Sequence, residues 1–173
     1  MKALEKKISL ACAVLTISDT RTAGDDTSGN LLAESLAHAG HNCVRRDIVK
    51  SNLYQIRRVL SDWIADPDIQ VILTSGGTGF GHDHGVPEAV LPLLDREITG
   101  FEALFRQVSF AEIGSSAIQS RALAGMANHT LIFCLPGSNN ACQTAWTHIL
   151  REQLDSMHQP CNFATLFRNT ESE

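Results

Sequence analysis

The sequence predicts an α/β domain with a mostly parallel sheet, and three observations carry that expectation. Strand-like and helix-like segments alternate along the chain. Two short runs, Val71 to Leu73 and Thr130 to Leu135, are apolar or β-branched throughout, as strands covered on both faces are. Each run empties into a loop rich in glycine or proline, where the C-terminal edge of a parallel sheet places its ligand-binding turns. The 173 residues suffice for one domain with a substantial core, and no repeat, low-complexity stretch or interdomain linker divides them.

Taken in order, Ile8 to Ile17 reads as the first strand. Asp25-Asp26-Thr27-Ser28 opens a helix running from about Ser28 to Ala39, and Gly40 closes it. Cys43 to Val49 is a short second strand. Ile56, Val59, Leu60, Trp63 and Ile64 fall on one helical face that Asp66-Pro67 stops. After the strand at Val71, Pro87-Glu88-Ala89 starts a helix that Pro92 shortens or kinks. Phe101, Leu104, Phe105 and Val108 mark another amphipathic helix, and Ala117 to Ala124 reads as a shorter one. Beyond the strand at Thr130, Trp146, Leu150 and Leu154 recur every fourth residue along a long final helix. The tail after Thr170 reads as frayed.

The chemistry concentrates in Thr74-Ser75-Gly76-Gly77-Thr78-Gly79. Glycines let the backbone turn its N–H groups inward and let a ligand approach where no Cβ stands. With three hydroxyls beside them, the loop suits an oxyanion such as phosphate. A bare tight turn is the alternative reading. The P-loop pattern fails, because Phe80-Gly81 stands where lysine and a hydroxyl residue belong. The dinucleotide fingerprint fails because His84 takes the place of its last glycine. Two further loops, Ser18 to Gly29 and Pro136 to Asn140, also follow predicted strands and can share the ligand.

Composition narrows the class. Hydrophobic residues make up 43% and charged residues 19%, an ordinary soluble balance. A net charge of −5 argues against a nucleic-acid surface, so an anionic ligand must be held by local donors. No apolar run reaches the roughly 18 residues of a membrane span. The basic-then-apolar start is interrupted by Glu5 and lacks a small-residue cleavage site, so it reads as a strand of a cytoplasmic protein. The five cysteines form no C-x-x-C pair, and three sit in apolar strand-like stretches, as buried free thiols do.

Together these segments resemble the molybdopterin-binding fold family of molybdenum cofactor biosynthesis. The matching pieces are SDTRTAGDDTSG from Ser18, TSGGTG from Thr74, VPEA from Val86, DREITGFEALFR from Asp95, SSAIQSRALAG from Ser115, LPGSNNA from Leu135 and PCNF from Pro160. They keep one order and span most of the chain. The resemblance implies a three-layer αβα sandwich that binds molybdopterin, a pterin bearing a dithiolene and a terminal phosphate. It also implies a homotrimer or homohexamer working beside other molybdenum cofactor biosynthesis proteins. Active relatives transfer AMP from MgATP to that phosphate. Carried onto this chain, the ligand-binding residues are Ser18, Asp19, Ser75, Gly76, Gly77, Thr78, Gly79, Pro136, Gly137 and Ser138.

The catalytic pattern is altered at two places. A V-P-D-D segment in active relatives is Val49-Lys50-Ser51-Asn52 here, and the aspartate ahead of the Pro-Glu-Ala helix is His84. Carboxylates there position Mg²⁺, and serine and histidine replace them poorly. Candidate substitutes are Asp83, if the loop shifts by one residue, and Asp26. Whether adenylyl transfer survives is open at this stage, against a noncatalytic pterin-binding partner or a small-molecule phosphohydrolase.

Other assignments stay open too. His82-Asp83-His84 reads as a solvated polar loop or as a metal site, since alternate residues of extended chain face one way. Asp19, Asp25 and Asp26 suit ligand or metal contact, while Asp26 and Ser28 equally suit helix capping; Arg21 beside them is compatible with ligand contact. Arg121 reads as structural in preference to a phosphate clamp, and Ser138 as a cap for the final helix. Phe101, Phe105 and Phe110 in one segment suggest a patch for self-association.

Overall fold

Six strands form one sheet in a computed structural model that describes residues 6–168. The strands are β1 (Ala11–Ile17), β2 (Asn42–Val49), β3 (Val71–Ser75), β4 (Arg96–Glu97), β5 (Leu123–Ala127) and β6 (Thr130–Leu135). Their order is β2-β1-β3-β6-β5-β4, with β2, β1, β3 and β6 parallel, β5 antiparallel to β6, and β4 antiparallel to β5. The sheet is therefore mixed but mostly parallel, as expected.

Period-two alternation splits each central strand between two cores. Leu10, Cys12 and Val14, then Val71 and Leu73, then Leu131, Phe133 and Leu135 point to one face. Helices α1 (Thr27–His38) and α4 (Thr99–Ile113) cover that face with Leu32, Leu36, Phe101 and Phe105. It is completed by α5 (Asn139–Ala145), a π turn (Trp146–Leu150) and α6 (Arg151–Gln153), which bury Cys142, Trp146 and Leu150. Ala13, Leu15, Ile17, Ile72, Ile132 and Cys134 point the other way, onto α2 (Leu53–Ala65) and α3 (Val86–Val90). The result is the three-layer αβα sandwich.

Local chemistry sets the boundaries. Asp26 caps α1, and the Asn52 side chain caps α2 by accepting from the Tyr54 and Gln55 N–H groups. Ser138 caps α5 through the Ala141 N–H. Pro87 lies in the first turn of α3, and Pro92 sits in the tighter turn Leu91–Leu93 that ends it. The expected tail after Thr170 lies outside the described residues.

Two expectations are corrected. Ala117 to Ala124 is not a helix: a tight turn, Gly114–Gln119, leads into strand β5. Alanine and leucine favour helix in isolation, but here pairing with β6 on one side and β4 on the other overrides that preference. Phe101 and Phe105 are buried in the core and stack at 6.2 Å, so of that trio only Phe110 remains exposed. Cys12, Cys134 and Cys142 are buried free thiols, while Cys161 is exposed. Burial pushes Cys134 and Cys142 up to about 12, which keeps both protonated. Among the described residues, no helix is long and apolar enough to cross a membrane.

Candidate functional site

The chain leaves β1 toward β2 on one side and returns through β3 on the other, so loops after β1 and β3 diverge at a topological switch point. A cleft of about 380 Å³ opens there. It is lined by three loops that follow β1, β3 and β6: Ser18 to Arg21, Ser75 to Gly79, and Pro136 with Gly137. Thus of the ten ligand-binding candidates only Ser138 does not line it; its hydroxyl caps α5 instead.

The glycine loop takes its shape from two consecutive left-handed residues, Gly76 at φ +96° and Gly77 at φ +70°. Positive φ is open to glycine at little cost, so the pair lets the chain reverse sharply at the end of β3. The Gly76 N–H is spent on the Leu135 carbonyl at 3.0 Å, and the Gly77 carbonyl accepts from the Val86 N–H at 3.0 Å. Among the described residues, the N–H groups of Gly77, Thr78 and Gly79 donate to no protein group.

The reason for glycine at position 77 differs from the sequence reading. A Cβ there would lie 2.5 Å from Val86 Cγ2 and 3.2 Å from Ile17 Cγ2, so it faces the core and not the ligand. Gly137 serves close approach: a Cβ on it would come within 3.1 Å of the Gly76 Cα. Ser75 also lines the cleft, and its Oγ is a buried donor without a protein partner.

The first loop is largely self-satisfied. Ser18 Oγ accepts from the Thr20 and Arg21 N–H groups at 3.2 and 3.0 Å. Arg21 donates to the Asp25 carbonyl and to Thr27 Oγ1, each at 2.8 Å. Asp25 accepts from the Thr22 N–H and hydroxyl, and these bonds lower its pKa. Asp26 is 2% exposed, caps α1 through the Gly29 N–H at 3.0 Å, and accepts from Thr16 Oγ1 at 2.8 Å and Arg46 at 3.3 Å. Its two oxygens are fully engaged by protein donors, which assigns it to capping. Ser28 ties this loop to the third one, its Oγ lying within hydrogen-bond distance, 2.7 Å, of both the Gly137 carbonyl and the Asn139 side-chain amide.

Ser51 and His84, the two positions that lack the expected acids, both line the cleft. Asp19 Oδ1 holds the Ser51 N–H at 3.0 Å, which brings Ser51 to the wall. Asp83 also lines the cleft, but its side chain is 68% exposed and stands 3.9 Å from His84 Nε2. His82 to His84 is a turn closed by the His84 N–H on the Gly81 carbonyl at 3.0 Å, not extended chain. The premise that His82 and His84 face one way therefore fails. Among the described residues, no group of three His, Cys, Asp or Glu side chains is placed to hold a metal ion.

Sequence reasoning missed Thr16 and Gln119, which also line the cleft. Thr16 carried a signal, a polar residue inside an apolar strand. Gln119 carried none, because its turn was read as helix.

Residues 13–156 match a family described as a probable molybdopterin binding domain. The chain is 54% identical over 151 residues to molybdenum cofactor biosynthesis protein B of Escherichia coli (strain K12), a match covering 87% of this chain and 89% of that one. Identity to the protein of the same name from Bacillus cereus is 42% over 144 residues, covering 83% and 85%. Among solved structures, a crystal structure of molybdenum cofactor biosynthesis protein B superposes with TM-score 0.83 at 41% identity, covering 85% of this chain and 92% of that one. The tungsten cofactor synthesizing protein MoaB from Pyrococcus furiosus superposes with TM-score 0.74 at 31% identity, covering 80% and 89%.

Proposed function

The chain belongs to the molybdenum cofactor biosynthesis family built on the molybdopterin-binding domain, and from that membership we propose that its switch-point cleft holds molybdopterin by the terminal phosphate. The observation that carries this reading is that the loop lining the cleft holds unspent donors: the Gly77, Thr78 and Gly79 N–H groups and the buried Ser75 hydroxyl. A phosphate satisfies all of them, and charge-assisted bonds to it are about twice as strong as neutral ones. Ser18, Asp19, Pro136 and Gly137 complete the walls.

Adenylyl transfer is slow at best in this reading. The carboxylates lining the cleft are Asp19, which is engaged with the Ser51 N–H, and the solvent-facing Asp83. Mg²⁺ is held by one or two well-placed carboxylates with phosphate and water oxygens, and at the two positions where active relatives place such acids this cleft has Ser51 and His84. Stoichiometric binding with little MgATP turnover follows, whether the protein holds the pterin intermediate or delivers it to other cofactor biosynthesis proteins. A cytoplasmic site of action and a homotrimer or pair of stacked trimers complete the proposal. Phe110 and Ile118, 64% and 72% exposed, line an apolar groove with Ala103 that suits self-association. The experiment is incubation with molybdopterin and MgATP, followed by direct detection of adenylated pterin. Bound pterin with little product supports the reading; efficient adenylation contradicts its catalytic part, and no bound pterin contradicts it entirely.

A further inference from the structure

The glycine loop is held at its base by the Val86 N–H on the Gly77 carbonyl, yet Phe80 to His84 beyond it is exposed throughout. The Arg121 side chain, from a different part of the chain, reaches the start of this excursion. Arg121, between the Gly114–Gln119 turn and β5, donates from Nη1 to the Gly79 carbonyl at 3.2 Å. Its Nη2 pairs with Glu88 Oε1 on α3 at 3.0 Å. Its guanidinium lies over the Phe80 ring, 4.9 Å from the centroid. The arginine side chain is 21% exposed and does not line the cleft; it stands behind the loop.

We infer that Arg121 is the positioning residue for the phosphate-binding loop, setting the Gly79–Phe80 peptide by a three-way clamp on the Gly79 carbonyl, Glu88 and Phe80. The inference rests on the reading of the cleft as a molybdopterin site. Its physical basis is that a peptide unit is planar, so holding the Gly79 carbonyl fixes the whole Gly79–Phe80 plane and pins the C-terminal end of the loop whose Gly77, Thr78 and Gly79 N–H groups are unspent. Glycine on both sides of Thr78 otherwise leaves that stretch free to rotate. Anchoring by a charged donor limits this freedom before ligand arrives, which removes an ordering cost from binding. Arginine suits the task because its planar fork serves two acceptors while its face stacks on an aromatic ring. A lysine ammonium is a point charge and cannot do all three at once.

The Glu88 carboxyl responds to the contact. Partial burial alone would raise its pKa, yet the Arg121 hydrogen bond and charge, with its own backbone N–H, bring it below the usual glutamate range.

The test compares the parent protein with Arg121→Gln, Arg121→Lys, Glu88→Gln and Phe80→Leu, with Arg106→Gln as a surface ion-pair control on α4. Molybdopterin affinity is measured by anaerobic calorimetry, and the Gly76 to Gly79 amides are followed by ¹H–¹⁵N spectroscopy without ligand. Both Arg121 variants should keep the parent Tm within a few degrees, move the loop amides, and bind about tenfold more weakly. Lysine should rescue little. Unmoved loop amides with parent affinity in a folded Arg121→Gln protein overturn the inference. Should that variant not fold, Glu88→Gln and Phe80→Leu decide: moved amides and weaker binding support the clamp, and unchanged behaviour in both overturns it. If the parent itself binds no molybdopterin, the proposed function falls, while the ligand-free amide spectra still decide the clamp.

Discussion

Ser75→Ala should stabilise the fold and weaken the ligand together, a pairing that few other roles for a buried serine produce. Ser75 is 0% exposed at the end of β3, and its Oγ has no protein partner. A buried hydroxyl left unpaired costs about 1–3 kcal/mol. Alanine removes that hydroxyl and leaves a void of one oxygen atom, so a net gain of about 1 kcal/mol is expected. For a chain of this size that gain raises Tm by about 2–4 °C. Binding moves the other way, because a hydrogen bond to a charged phosphate contributes about 1.5–3 kcal/mol. The corresponding loss of molybdopterin affinity is about tenfold to a hundredfold. Calorimetric melting and anaerobic binding titration on the same preparation read both effects. A lower Tm with unchanged affinity would refute the reasoning, since Ser75 would then serve the fold and not the ligand.

Asp26→Ala should lower stability by about 2–4 kcal/mol, because it strands the Gly29 N–H, the Thr16 hydroxyl and Arg46; a lower urea midpoint at constant slope checks this. Stability should also fall as pH drops below neutral. Burial and the nearby Lys7 hold the His41 pKa below the usual imidazole range. The unfolded chain therefore takes up the proton first, near pH ~6.5, and the contribution is lost as pH falls through the folded value. Melting between neutral and mildly acid pH should show a slope that His41→Gln flattens. Ser51→Asp combined with His84→Asp should raise MgATP-dependent adenylation far more than pterin affinity, since each ~1.4 kcal/mol recovered is tenfold in rate. Light scattering at micromolar concentration should report a trimer or hexamer, and Phe110→Glu should shift it toward monomer.

Much of the architecture was legible because the central strands declare themselves. Val71 to Leu73 and Thr130 to Leu135 are covered on both faces, so their sequences carry no polar alternation and read as buried. The helix at Ile56 showed its single apolar face, and Asp26 and Ser138 showed their caps. Strand β5 was hidden by its composition. Gly125 is needed there because a Cβ would lie 2.5 Å from Leu94 Cδ1 and 2.7 Å from the Arg96 carbonyl, a requirement set by distant chain. Strand β4 has two residues and no local signature.

For the site, the loops were legible and the division of labour within them was not. Gly77 faces Ile17 and Val86 rather than ligand, and Asp26 is consumed by donors from β1, β2 and α1. Ile17, Thr16 and Arg46 lie ten to sixty residues from the groups they meet, where local pattern carries no information. Arg121 illustrates the same gap: its place behind Gly79 depends on a turn and strand that local propensity misread.

The central claim is that the glycine loop receives the terminal phosphate of molybdopterin, and comparing molybdopterin with its dephosphorylated form tests it most directly. Equilibrium titration of both, under anaerobic conditions and without Mg²⁺, isolates the phosphate from the pterin and dithiolene. The account predicts one site per chain for molybdopterin and at least about hundredfold weaker binding once the phosphate is gone, the equivalent of several charge-assisted hydrogen bonds. Equal affinity for the two forms would contradict it.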